Sequence, residues 1–362
     1  MTALIENVRV LESTALGAPR TVAFEETILE GPPGGTVDPD EVIDGAGRTL
    51  LPGLIDAHMH VLGREDLDAL ARWGVTTGLD MAAWPAGMVD ALRTQHGTAH
   101  LTSALTPAVG PGGNHARMPG FPAEGILTDA SQAAGFVARR AAEGADYIKI
   151  VTEAAPPEGM DLPTVRAIVR EAHDRGLQVV AHSVTVGAFH LAVEAGVDVS
   201  THAPLDAVLD AETVARMREQ GMISVPTLTM MEGIARLRAD QGLRLEHAID
   251  SVAALHEAGV PVLVGTDANS APGAPFAPRH GESVHHELAL LARAGMAPGE
   301  ILAGATSRTA EVFGLSDRGA VEPGLRADLL LVDGDPTTDL AAVRRIEGVW
   351  IDGVRFDGAR AS

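Results

Sequence analysis

Short runs rich in β-branched residues alternate with longer stretches of helical period from about residue 51 to about residue 316. The strand candidates are "LIDAHMHV" (54–61), "VTTGLDM" (75–81), "HLTSALT" (100–106) and "YIKIV" (147–151), then "QVVAHS" (178–183), "VSTHAP" (199–204), "ISVPTLT" (223–229) and "VLVGTDA" (262–268). Between them, stretches such as "DASQAAGFVARRAAEGA", "DLPTVRAIVREAHDRG" and "LEHAIDSVAALHEAG" space apolar residues three and four apart and carry a glycine near the end, the pattern of amphipathic helices. Eight strands with intervening helices predict an α/β fold, a (β/α)8 TIM barrel over 51–316. The ends differ: "NVRVLES", "TVAFEETILEG", "ADLLLVDG" and "GVWIDGVRF" alternate at period two. They predict a small β-sandwich domain formed from both termini, 1–50 and 317–362.

Composition narrows the class of protein. A hydrophobic share of 46% can fill a large core, and 3% aromatics make that core aliphatic. A formal charge of −22 with no basic stripe argues against nucleic acid and anionic membranes as partners. There is no cysteine, so disulfides, thiolate nucleophiles and Cys-ligated zinc are excluded. The opening "MTALIENVRVLES" does not read as a signal peptide, and no apolar run reaches the length of a membrane span. A cytoplasmic protein is expected, and a homo-oligomer is left open.

The chemistry collects at strand ends. His58 and His60 in "DAHMH" lie two apart, so both point to one face, about 7 Å apart along the chain, while Met59 points to the helical ring. Read singly, they are two polar residues. His182 ends the fifth strand, His202 the sixth and Asp267 the eighth, and the C-terminal ends of barrel strands converge on one mouth. Nitrogen and oxygen ligands facing one cavity suit zinc or a similar divalent ion.

Lys149 is the only lysine among 27 basic side chains. Alternation turns it into the barrel between Ile148 and Ile150. Burial lowers a lysine pKa by several units, and a neutral amine can add carbon dioxide to become a carbamate, a bidentate anionic ligand. Arginine stays protonated and cannot. The plainer alternative is a buried lysine paired with a carboxylate such as Glu153.

With these residues in hand, the chain resembles the amidohydrolase superfamily, through "LPGLIDAHMH" (51–60), "YIKI" (147–150), "AHS" (181–183), "THAP" (201–204), "GTDA" (265–268) and "ATSRTAEVFGL…GAVEPGLRADLLLVDGDP" (305–336). Within it, "RHGESVHHELALLARAGM" (279–296) is most similar to the imidazolonepropionase-related, prolidase-like binuclear group. The lysine argues against imidazolonepropionase itself. The resemblance implies that His58, His60 and Asp267 hold one divalent metal and His182 and His202 a second, bridged by carboxylated Lys149 and a hydroxide. Zinc is the default, with manganese, iron or nickel as alternatives. Asp267 would serve as general base and then acid in cleaving an amide bond. Asp56, on the same strand face, is either a support for the ligands or structural. "THAP" departs from the commoner Glu-His-Gly and leaves the pocket beside the sixth strand in question.

Specificity belongs to the loops. The long Gly/Pro-rich loop 106–122 reads as functional. The substrate-contact candidates are His115, Arg117, Tyr147, Met230, Arg279 and His280, a set suited to a carboxylate-bearing amide with an apolar part. The plainer readings are surface ion pairs for the arginines and barrel filler for Tyr147. The expected substrate is a dipeptide, N-acyl amino acid, aryl amide or cyclic amide. The alternatives are the same site acting on a lactone, carbamate or phosphotriester, or a non-catalytic binding protein on the same barrel.

Overall fold

The structure, a computed structural model, describes residues 2–31, 39–152, 158–274 and 276–359. Among the described residues, fifteen strands fall into three sheets. The terminal segments supply β1 (Ala3–Glu12), β2 (Ala15–Leu16), β3 (Arg20–Phe24), β4 (Glu41–Asp44) and β5 (Thr49–Pro52). The central chain supplies β6 (Leu54–Met59), β7 (Val75–Asp80), β8 (His100–Ser103), β9 (Ile148–Val151), β10 (Val179–His182), β11 (Val199–Thr201) and β12 (Ile223–Val225). The C-terminal segment returns with β13 (Leu329–Val332), β14 (Ile346–Ile351) and β15 (Val354–Arg355).

Strands from the two ends share one sheet, ordered β15-β14-β13-β5-β1-β2, with β3 and β4 also pairing β1. The hinge between this sheet and the central chain is Gly53, where a Cβ would lie 2.1 Å from Thr76 Oγ1. Only a residue without a side chain fits there.

The central strands are parallel and form two sheets, β6-β7-β8 and β12-β11-β10-β9. Among the described residues they are joined by isolated bridges: Ala108 with Ile150 on one side, Ser224 with Val262 and Met59 with Ala268 on the other. Residues 262–268, read from the sequence as an eighth strand, belong to no sheet. The reason is local. Asp267 has φ 58°, and the His58 carbonyl accepts from both Thr266 N and Asp267 N at 3.1 and 2.7 Å, which breaks a regular ladder. The seventh strand is also shorter than expected, because Pro226 has no N–H to give and Thr227 turns left-handed at φ 45°. The helix Leu228–Leu237 starts immediately after.

The three helical patterns quoted above appear as Ala133–Ala142, Leu162–His173 and Leu245–Glu257. Leu162–His173 is capped by Asp161, whose side chain accepts from Thr164 N, and has proline in its first turn. The side chains of Ile55, Ala57, Leu79, Val180, Val199, Val225 and Leu263 form one buried aliphatic cluster, with Tyr147 in it. Met59, two positions beyond Ala57, packs in a different cluster with Leu67 and Leu70, on the helical side, because the strand's register shifts between Asp56 and Met59. No helix among the described residues is long and apolar enough to cross a membrane.

Candidate metal centre

Five chain segments deliver the site. β6 carries His58 and leads to His60, β9 carries Lys149, β10 ends on His182, and His202 follows β11. Asp267 sits at the end of 262–268, beside β6. His60 Nε2 and His58 Nε2 lie 3.0 and 3.4 Å from Asp267 Oδ1, and His202 Nδ1 lies 3.9 Å from Asp267 Oδ2. One ligand atom from each of His58, His60 and Asp267 falls within 4.8 Å of the others, close enough to share an ion. The His202 ring stands 4.8 Å from that of His58 and 4.2 Å from that of His182, so the fourth and fifth ligand candidates adjoin the first three.

Electrostatics favours free lone pairs here. Burial, reinforced by the neighbouring Lys149 charge, pushes His58 down to about 3. Burial and adjacent histidines hold His182 well below the ordinary imidazole range, and burial does the same to His202. These rings are neutral at pH 7, the form a metal binds. Burial presses the Asp267 carboxyl upward, but the surrounding histidines outweigh it and keep the group ionised. His60 goes the other way: burial lowers it, and the Asp267 carboxylate more than compensates.

Two buried nitrogens, His58 Nδ1 and His202 Nε2, have no hydrogen-bond partner. His58 faces Asp267 with its Nε2, so of the two it is the His202 Nε2 lone pair that a cation beside the cluster would satisfy. The donor set of imidazoles and one carboxylate fits a divalent ion.

Lys149 is buried, and its Nζ donates to Thr201 Oγ1 at 2.7 Å; Thr201 in turn donates to the Ala181 carbonyl at 3.0 Å. Desolvation brings the amine down to about 7, so a large share is uncharged near neutrality. Glu153, the alternative partner considered for it, lies outside the described residues.

Behind the ligands, Asp56 is fully buried. It accepts from His58 N and Thr266 N at 3.1 Å each and from Thr266 Oγ1 at 2.6 Å, tying β6 to the segment that carries Asp267. Burial lifts its carboxyl to about 7.

The other candidates are placed as follows. His115 stands with its ring 4.8 Å from His182 and so joins the cluster. Arg117 is exposed two residues on, in the same short 3-10 turn. His280 is buried and works from below, with Nε2 on the His60 carbonyl at 2.8 Å and Nδ1 3.4 Å from Asp66. The remaining three lie in the core or on the surface. Tyr147 is 2% exposed, with its hydroxyl on the Asp80 carbonyl at 3.0 Å and its ring on Phe313, and is barrel filler. Met230 is buried in the aliphatic core, because the chain is already helical there. Arg279 is 82% exposed and pairs with Glu282 at 3.3 Å.

Sequence reasoning missed four residues. Asp80, at the end of β7, takes Val61 N and the Ser103 hydroxyl and acts electrostatically on both His60 and Lys149. Its place at a strand end could have flagged it. Thr201 and Thr227, which hydrogen-bond Lys149 and His202, and the buried Glu287 carried no signal of their own.

Residues 49–355 match the model of the Amidohydrolase family. An uncharacterized protein of Mycobacterium tuberculosis (strain ATCC 25618 / H37Rv) is 32% identical over 385 residues, covering 96% of this chain and 95% of the relative. An imidazolonepropionase of Paracoccus denitrificans (strain Pd 1222) is 27% identical over 340 residues, 80% of each chain. Among solved structures, a Xaa-Pro dipeptidase crystallised with methionine in its active site superposes with a TM-score of 0.82 at 22% identity, covering 98% of this chain and 99% of that one.

Proposed function

Because the chain belongs to the amidohydrolase family, whose members are hydrolases of carbon–nitrogen bonds, we propose that it is a binuclear metal-dependent amidase built on His58, His60, Lys149, His182, His202 and Asp267. The observation that carries this is the convergence of His58, His60 and Asp267 on one point, with a buried, unpartnered His202 nitrogen beside them.

In this reading His58, His60 and Asp267 hold one divalent ion, by default zinc, and His182 and His202 a second. Lys149, whose amine is largely neutral, would supply a further anionic oxygen ligand if carboxylated. The 262–268 segment then acts as the eighth strand of a closed (β/α)8 barrel, and residues 1–50 and 317–362 as a small β-sandwich domain. Such ions, when bound, would supply Lewis acidity toward a water and a substrate carbonyl.

The chain's own residues do the rest. Asp267, ionised and facing the histidines, accepts a proton from the attacking water and delivers it to the leaving nitrogen as the C–N bond breaks. His115 and Arg117, on the loop beside His182, orient the acyl or carboxylate part of a small amide such as a dipeptide, N-acyl amino acid, aryl amide or cyclic amide.

The test is metal content per chain by plasma mass spectrometry on protein purified without chelator, followed by an amide, lactone, carbamate and phosphotriester screen. About two equivalents of metal and turnover of an amide are expected. About one equivalent would sink the binuclear reading, and none after incubation with metal and bicarbonate would sink the metalloenzyme.

A further inference from the structure

The segment after β12 holds a division of labour. Thr227 occupies the N-cap position of the helix Leu228–Leu237. A threonine there ordinarily turns its hydroxyl onto the N–H groups of the first turn. Here it makes no such bond: its Oγ1 lies 2.8 Å from His202 Nδ1. The first-turn donors are taken instead by Glu287, from the helix Glu282–Arg293. Its Oε1 accepts from Leu228 N at 2.8 Å, and its Oε2 from Thr229 N at 2.7 Å and Thr229 Oγ1 at 2.8 Å.

Both backbone positions involved are unusual. His202 and Thr227 have φ of 71° and 45°, and a β-branched residue in the left-handed region persists only where its surroundings hold it. Glu287 supplies such a hold, being a fully buried carboxylate whose acceptor bonds all run to the two residues after Thr227.

The consequence falls on His202. Two oxygens, Thr227 Oγ1 at 2.8 Å and Asp267 Oδ2 at 3.9 Å, face its Nδ1, whereas its Nε2 is buried without a partner. The Thr227 hydroxyl can accept from Nδ1–H or donate to a bare Nδ1, but the Asp267 carboxylate, which only accepts, lies on the Nδ1 side and favours the hydrogen there, whereas a hydrogen on Nε2 would be a buried donor with no partner.

We infer that Thr227 is a positioning residue that fixes His202 as the Nδ1–H tautomer with a bare Nε2, and that Glu287, by capping the helix from a neighbouring one, frees the Thr227 hydroxyl for this. The inference rests on the reading of His202 as a metal ligand for its use, but not for its test.

That test starts from metal-free protein labelled with 15N-histidine, in which long-range nitrogen–proton correlations report the tautomer of His202, assigned with His202→Asn. Wild type shows Nδ1–H; Thr227→Val, which keeps the shape and loses the hydroxyl, shifts the population, and Thr227→Ser restores it. Zn2+ affinity by chelator competition falls about 10- to 100-fold in Thr227→Val and recovers in Thr227→Ser. Glu287→Gln, which replaces one acceptor oxygen by a donor, gives the same two changes; should it fail to fold, the Thr227 pair decides. An unchanged tautomer in Thr227→Val overturns the inference. A wild type that takes up no Zn2+ sinks the metal reading alone, and the tautomer comparison still decides the role of Thr227.

Discussion

Lys149 Nζ reaches Thr201 Oγ1 at 2.7 Å across the intervening strand β10, whose Ala181 carbonyl takes the Thr201 hydroxyl in turn. A single polar thread thus crosses three strands inside an aliphatic interior. The amine is held in place by one neutral partner, and burial brings its pKa to about 7.

Lys149→Arg keeps a basic side chain but cannot shed its proton to form a carbamate. We expect this variant to fold, to lose at least about half of its bound metal and to be without amidase activity. Metal analysis and turnover, each with and without added bicarbonate, check it. An active Lys149→Arg protein would sink the carbamate.

Asp56→Asn exchanges one carboxylate oxygen for an amide donor at a place where three donors already point inward. Because Asp56 links the His58 backbone to Thr266, the ligand pair His58 and Asp267 should loosen. A fall in metal affinity of about 10- to 100-fold is expected by chelator competition. Unchanged affinity would reduce Asp56 to a filler of β6.

Outside the metal centre, His285 is buried with Nε2 on the Trp73 carbonyl at 3.1 Å, and burial lowers it to about 4. The folded state therefore refuses a proton that the unfolded chain accepts below about 6.5. With the unfolded state binding more protons, stability falls as pH drops from about 6.5 toward 4. His285→Gln should flatten that part of the stability curve, read as urea midpoints at several pH values. A parallel curve, merely displaced, would count against it.

Arg279→Ala should change little. An exposed i,i+3 pair contributes roughly 0–1 kcal/mol, and the side chain points to solvent. Arg117→Ala is the contrasting variant, since its loop also carries His115 against His182. We expect a rise in KM for carboxylated amides, at nearly constant kcat, in Arg117→Ala only. An equal rise in both would show that the loop bearing Arg279 folds over the substrate.

Much of this was legible in the sequence because the information is local. Period-two and period-3.6 patterns identify strands and helices, and alternation within "DAHMH" and "YIKIV" fixes which residues share a face. The single lysine stood out by composition alone. The loop candidates were a different matter. Arg279 and Arg117 look alike in sequence, yet one is paired on the surface with Glu282, and only the other shares a loop turn with His115 at the histidine cluster.

What only the tertiary structure decided are the contacts between residues far apart in the chain. Thr266 reaches Asp56 across 210 positions, and Glu287 reaches Leu228 across 59. No periodicity records such a meeting. A hydroxyl or carboxylate takes its role from whichever donor or acceptor the fold leaves unsatisfied beside it, and that is set by how whole elements pack. The sequence by itself marked out the histidines, the lysine and the aspartate, and placed Lys149, His58 and His182 on the strands that carry them. The packing decided that Thr227 faces His202 and that Glu287 caps the helix behind it.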